Sequence, residues 1–167
     1  MTLRLLLILI LAPLAGCDDP DDDTPAPGDP EFVRDPALDR EVVSAHGGMT
    51  SHESGKNCMD CHQKHGPGPG LFSVAGTVVG SDGSPSADAT VELWTKPGGQ
   101  GELVLHVEAD VLGNFFTTEE LDLASAPAFP FVKAADGVGA NLMPFPTLSG
   151  ACNVCHASTG SNPVDLP

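Results

Sequence analysis

Two Cys-x-x-Cys-His motifs, Cys58-Met-Asp-Cys61-His62 and Cys152-Asn-Val-Cys155-His156, bracket a stretch of short apolar runs broken by Gly and Pro. Whatever this chain folds into must present both motifs in the same local form. The spacing has a chemical reading. In an exported chain it is the signature for covalent attachment of haem c. Two intervening residues let both thiols reach one edge of a porphyrin and add across its vinyl groups. The His that follows is then placed to bind the iron, His62 in the first motif and His156 in the second. The expectation is two covalently bound haems, held by Cys58, Cys61, Cys152 and Cys155.

The fifth cysteine, Cys17, has a different context. Arg4 and an apolar run from Leu5 to Ala12 precede Leu14-Ala15-Gly16-Cys17. A short cationic start, an apolar stretch of that length and small residues before a cleavage point make a secretory signal rather than a spanning helix. Leu-Ala-Gly-Cys resembles the lipobox of bacterial lipoproteins. The resemblance implies removal of residues 1–16 and acylation of Cys17, which would hold the protein at the cell envelope, on the periplasmic face or the cell surface. An ordinary signal peptide with an incidental cysteine is the alternative. Haem c is also attached outside the cytoplasm in bacteria, so the two signals agree.

Without residues 1–16 the chain keeps six Lys and Arg against 23 Asp and Glu, a formal charge of −17. Such a field argues against nucleic acid and against electrostatic docking on anionic lipid. It favours redox partners with basic docking patches, whose encounter rates fall as salt rises; a plain solubility role is the alternative. Residues 17–41 are rich in Asp and Pro, too polar and too alike in charge to offset the entropy of ordering, and read as an extended tether. Residues 42–160 make one domain of ordinary size, and 161–167 a C-terminal tail.

Between the motifs the pattern is β. The runs Leu71–Val79, Ala89–Thr95, Glu102–Ala109, Phe115–Thr118 and Phe129–Ala134 are short and separated by turns such as Pro97-Gly98-Gly99. Val91 and Leu93 share one face of their run, and Leu103, Leu105, Val107 and Ala109 share one face of theirs. The fold class expected is mainly β: a small antiparallel sandwich at about residues 71–135, flanked by two haem-attachment loops or short helices. Seven Phe, one Trp and no Tyr are few aromatics for a core, and two porphyrins would add apolar area.

Val74-Ala-Gly-Thr-Val78, Ala87-Asp-Ala-Thr-Val-Glu-Leu93 and Gly113-Asn114-Phe115 resemble the carboxypeptidase regulatory-like, transthyretin-related β-sandwich, over about residues 71–118. In that family these segments lie on adjoining strands, and the resemblance implies fold rather than activity. The arrangement as a whole, over about residues 52–156, resembles small exported bacterial dihaem proteins that carry such a sandwich between two Cys-x-x-Cys-His motifs. In them a His lies shortly before the first motif and a Met shortly before the second.

A sixth iron ligand must come from elsewhere in the chain or be absent. The candidates are His52, His46 and Met143. His52 precedes Cys58 by five intervening residues and Met143 precedes Cys152 by eight; the resemblance favours this pair. His46 would serve the second iron if the haems stack, and Met143 has a core-packing alternative. His65, close behind His62, reads as a loop residue, and His106 shares a polar strand face with Glu102 and Glu108. Bis-His ligation lowers the reduction potential relative to Met/His, and an open site would bind small molecules.

The leading reading is a membrane-anchored dihaem c-type cytochrome, an electron carrier rather than an enzyme. If both motifs meet at one end of the sandwich, the haems exchange electrons within the chain; at opposite ends they would favour self-association into a chain or filament. A surface-binding module with structural or sensory haem, using Trp94, is the runner-up. A haem enzyme would need acid and base groups that the sequence does not display. Zinc binding, a thioredoxin-like pair and disulfide staples are the other uses of paired cysteines, and none accounts for a His directly after both pairs.

Overall fold

The computed structural model describes residues 25–48, 51–156 and 164–167. The expected signal peptide, Cys17 and the first part of the tether lie outside the described residues. Among the described residues no helix is long and apolar enough to cross a membrane.

The chain is mainly β, with two sheets that enclose one apolar core. Strands β1 (Val74–Gly80), β4 (Asn114–Thr117) and β7 (Val164–Leu166) form one sheet in the order β4-β1-β7. Strands β2 (Thr90–Lys96), β3 (Gln100–Glu108), β5 (Phe129–Lys133) and β6 (Ala140–Leu142) form the other, in the order β3-β2-β5-β6. Val74, Val78 and Phe115 of the first sheet pack with Val91, Leu93, Leu105, Val107 and Val132 of the second in one buried cluster. Period-two alternation produces this directly, because successive side chains of a strand point to opposite faces. Every strand expected from the alternating runs is present, within three residues of its expected start.

Three features depart from the sequence expectation. The alternation puts Leu103 on one face with Leu105, Val107 and Ala109, which are buried, yet Leu103 is 47% exposed. The cause is a bulge in β3. Leu93 pairs with Leu105 but Trp94 pairs with Leu103, so two residues of β3 oppose one of β2 and the alternation changes phase. The presumed C-terminal tail contains β7, which pairs with β1 in parallel and buries Leu166, so the sandwich is not wholly antiparallel. Finally, residues 34–41, assigned to the tether, lie against the first motif. The buried Arg34 guanidinium donates to the Gly66 carbonyl at 2.6 Å and the Leu38 carbonyl at 3.0 Å, and pairs with Asp39 at 2.7 Å. Just beyond, Val43 bridges to Thr117 and the Ser44 amide donates to the Phe116 carbonyl, extending the first sheet past β4.

β2 turns into β3 through Pro97-Gly98-Gly99. Gly98 and Gly99 have φ of +72° and +68°, which a residue with a Cβ adopts only at a cost. On the outer face of this sheet, the buried Glu92 carboxylate accepts from Trp94 Nε1 at 2.8 Å and pairs with Lys133 Nζ at 2.6 Å. His106 stands across the strand pair, 3.6 Å away and half exposed, as its polar face implied.

Candidate functional site

The first motif forms a single 3-10 turn, Cys58–Asp60, capped by the Asn57 side chain, which accepts from the Met59 amide. The His62 amide donates to the Cys58 carbonyl at 3.0 Å. One turn of backbone therefore carries both thiols and the imidazole. His62 is 7% exposed, and its Nδ1 lies 2.7 Å from the Pro69 carbonyl. A carbonyl oxygen only accepts, so Nδ1 carries the proton and Nε2 keeps its lone pair. A metal-binding imidazole is commonly held in this way. Burial pushes the His62 pKa down, outweighing the Pro69 hydrogen bond, and the charges of His52 and Arg34 add to the shift. The ring is therefore neutral at neutral pH.

The Gly66-Pro-Gly-Pro-Gly70 loop wraps this imidazole. A Cβ on Gly68 would lie 2.8 Å from His62 Nδ1, so the loop approaches the ring as closely as bare backbone permits. Phe72 stacks on His62, with ring centres 4.0 Å apart and planes 6° from parallel, and Phe116 stacks in turn on Phe72 at 4.9 Å. His52 faces His62 with ring centres 5.8 Å apart. His52, Cys58, Cys61, His62, Phe72 and Phe116 all line one cavity of about 930 Å³.

The second motif occupies a short helix, α1 (Cys152–Cys155), and the His156 amide donates to the Cys152 carbonyl at 2.9 Å, repeating the first motif's local form. Cys152, Cys155, His156, Met143, Phe145 and Leu148 line a second cavity of about 620 Å³, whose inner wall is made by the core residues Leu93 and Phe115. The Met143 amide donates to the Pro130 carbonyl and Thr147 exchanges hydrogen bonds with Ala128, so this loop is held to the neighbouring sheet. Phe145 and Leu148 are nevertheless 61% and 62% exposed.

His52 and Met143 thus each share a cavity with a different motif. His46 lines neither. It is largely exposed, with Nδ1 2.9 Å from Asp88 Oδ1. His65 stands near the Phe32 carbonyl, also outside both cavities. Trp94 uses its indole N–H on Glu92 rather than presenting it to solvent.

The two motifs, far apart in sequence, lie side by side across β1. Burial pushes the Cys152 thiol up to about 12, and the charge of nearby Cys58 adds to it; burial raises Cys58 as well. Reactive redox thiols are held below their ordinary pKa, so these run the opposite way from a thioredoxin-like pair. The four cysteines of the motifs are free of disulfides. Among the described residues no group of three His, Cys, Asp or Glu side chains is gathered as ligands for a metal ion.

Sequence reasoning missed the supporting residues. Pro69 and Phe72 orient His62, and no spacing rule marks them. Asn153, inside the second motif, reads as filler between two cysteines but is 4% exposed. Comparison with protein-family models, with curated proteins and with solved structures finds no match.

Proposed function

We propose that the protein is a dihaem c-type cytochrome that relays electrons outside the cytoplasm, carried on a lipid anchor at Cys17. One observation carries the reading: each Cys-x-x-Cys-His motif opens onto its own cavity, and each cavity contains a second side chain able to bind iron. The donor set fits. With metal–nitrogen bonds of about 2 Å, two imidazoles on one metal have ring centres roughly 6 Å apart, and His52 and His62 stand at 5.8 Å. The sizes fit as well, since both volumes fall in the range of small-molecule and cofactor sites, about 300–1,000 Å³. The apolar side chains left in water at the second cavity, Phe145 and Leu148, are those a porphyrin would cover.

Cys58 and Cys61 would hold one haem, with His62 and His52 as its candidate iron-binding side chains; Cys152 and Cys155 would hold the other, with His156 and Met143. Bound haem supplies a one-electron couple at its iron. The chain's own residues set the conditions for it. Pro69 fixes the His62 tautomer, Phe72 and Gly68 fix its plane, and Phe115 and Leu93 back the second site with buried apolar surface. With haem bound, a His/His set beside a His/Met set would make the first site the lower in potential.

The sandwich is read as the transthyretin-related type. Two of the three resembling segments, on β1 and β4, are paired neighbours and support it; the third, on β2, lies in the other sheet and departs from the adjoining arrangement that the resemblance implies. The strong negative charge supports docking to partners with basic patches.

The test is a pyridine haemochrome count and intact mass on protein made with haem-attachment machinery. Two haems per chain is the expected result. Bare polypeptide plus lipid would end the reading.

A further inference from the structure

Asn153 makes no contribution that the Cys-x-x-Cys-His pattern requires, yet every polar atom of its side chain is engaged in the interior. Its Oδ1 accepts from the Thr77 amide at 2.9 Å, and its Nδ2 donates to the Lys56 carbonyl at 2.7 Å and to Thr77 Oγ1 at 3.0 Å. The position on β1 explains the first bond. The amides of Ala75 and Thr77 face the edge opposite β4. Ala75 finds the Gly150 carbonyl, and β7 begins only opposite Val78. Between them the Asn153 amide group takes the place of a strand partner for Thr77.

The Thr77 hydroxyl is the centre of the arrangement. It donates to Asn114 Oδ1 at 2.7 Å and accepts from Asn153 Nδ2 and from the Gly55 amide at 2.9 Å. Asn114 Nδ2 in turn donates to Ser51 Oγ and to the His52 carbonyl, each at 3.1 Å. Thr77, Asn114 and Asn153 are 2%, 1% and 4% exposed. Three buried side chains therefore tie the lead-in to the first motif, residues 51–56, to the body of the second. A hydroxyl has one proton and two lone pairs, and here all three are used. Such a fully satisfied buried network favours a single geometry, because any displacement leaves a desolvated group without a partner.

We propose that the Thr77–Asn114–Asn153 hub locks the two motifs into one relative placement, so that the groups they carry exchange electrons within the chain. Thr77 and Asn153 are positioning residues in this scheme; neither donates to iron. The proposal rests on the dihaem reading, and the two fail by different signs.

The haem count and mass test that reading first. On holoprotein with two haems, frozen-solution electron paramagnetic resonance of the oxidised state is compared with C58A/C61A and C152A/C155A, which keep one haem each. Two paramagnets held close broaden one another, so the wild-type spectrum should differ from the sum of the single-haem spectra; equality with that sum overturns the proposal. Thr77→Val and Asn153→Ala should move the spectrum toward the sum while keeping two haems, and Thr77→Ser, which retains the hydroxyl, should not. Unchanged coupling in both disruptive variants overturns the role of the hub. Amide hydrogen exchange of the wild type needs no variant to fold. The Gly55 and Thr77 amides should be protected like Val78 and Val107 of the core, and Thr77→Val should speed exchange at Gly55 roughly five- to tenfold, the effect of losing about one hydrogen bond. Exchange of the wild-type Gly55 and Thr77 amides at the rate of the exposed Gly83 turn would overturn the lock.

Discussion

Phe115 and Phe116, adjacent on β4, point to opposite faces of the three-stranded sheet, and each forms a wall of a different cavity. Phe115 is fully buried between the sheets and closes the second cavity from within. Phe116 faces outward and stacks behind Phe72, which backs His62. The alternation of one strand thus gives each of the two cavities a wall from the same sheet.

Attachment is the first quantity to measure. Cys58→Ala and Cys152→Ala should each reduce the haemochrome count from two to one. A chain that kept both haems after either change would remove the attachment assignment.

Ligand substitutions should act on one site at a time. His52→Ala should convert one iron from low to high spin in the visible and magnetic resonance spectra. Met143→His should lower one potential and leave the other, since Met/His ligation lies above bis-His. His46→Ala should change neither, because that side chain is on the surface with Asp88. A spectral change in His46→Ala would reassign the first or second ligand set.

Two glycines are predicted to be intolerant for reasons of space. A Cβ on Gly68 would meet the His62 ring, and one on Gly76 would lie 2.5 Å from Phe115 Cζ and 2.9 Å from Cys152 Cβ. Overpacking of this kind costs about 1–3 kcal/mol. Gly68→Ala should disturb the spectrum of the first site, and Gly76→Ala should lower haem incorporation at the second. Urea unfolding and the haem count read these separately.

Acid stability has one clear contributor on the outer sheet. For Glu92, burial acts to raise the pKa, but the Lys133 and Trp94 hydrogen bonds and the charges of Lys133 and His106 together outweigh it, and the carboxyl is held below its ordinary 4.5. A depressed folded-state pKa stabilises fully above the unfolded value, 4.5, and that contribution is lost as pH falls through the lower folded value. Glu92→Gln should flatten the stability profile in that acid window. Lys133→Met should cost about 1–3 kcal/mol at neutral pH, because it leaves a buried carboxylate short of its cation. Urea titrations at a series of pH values check both.

Much of the fold was legible because strand alternation is local: Val91 and Leu93, or Leu105 and Val107, declare their face two residues at a time. Leu103 was misplaced because a bulge is set by pairing with β2, which the run itself does not contain. β7 was missed because Val164 to Leu166 is too short to stand out as a strand, and it is strand only by pairing with β1. Arg34 was read as tether because its partners, the Gly66 and Leu38 carbonyls, come from backbone that carries no sequence signal.

The candidate site divides in the same way. The thiol pairs and the following His stand within five consecutive residues, so sequence alone singled them out as candidates, together with the alternation that makes the chain mainly β. Which candidate second ligand shares a cavity with which motif, and that His46 lines neither, was decided by the loops that fold over each cavity. The closeness of the two motifs was decided by Thr77, Asn114 and Asn153, whose hydrogen bonds join segments up to 97 residues apart. Such contacts arise only when the sheet closes, because a buried amide takes the partner that topology puts within reach.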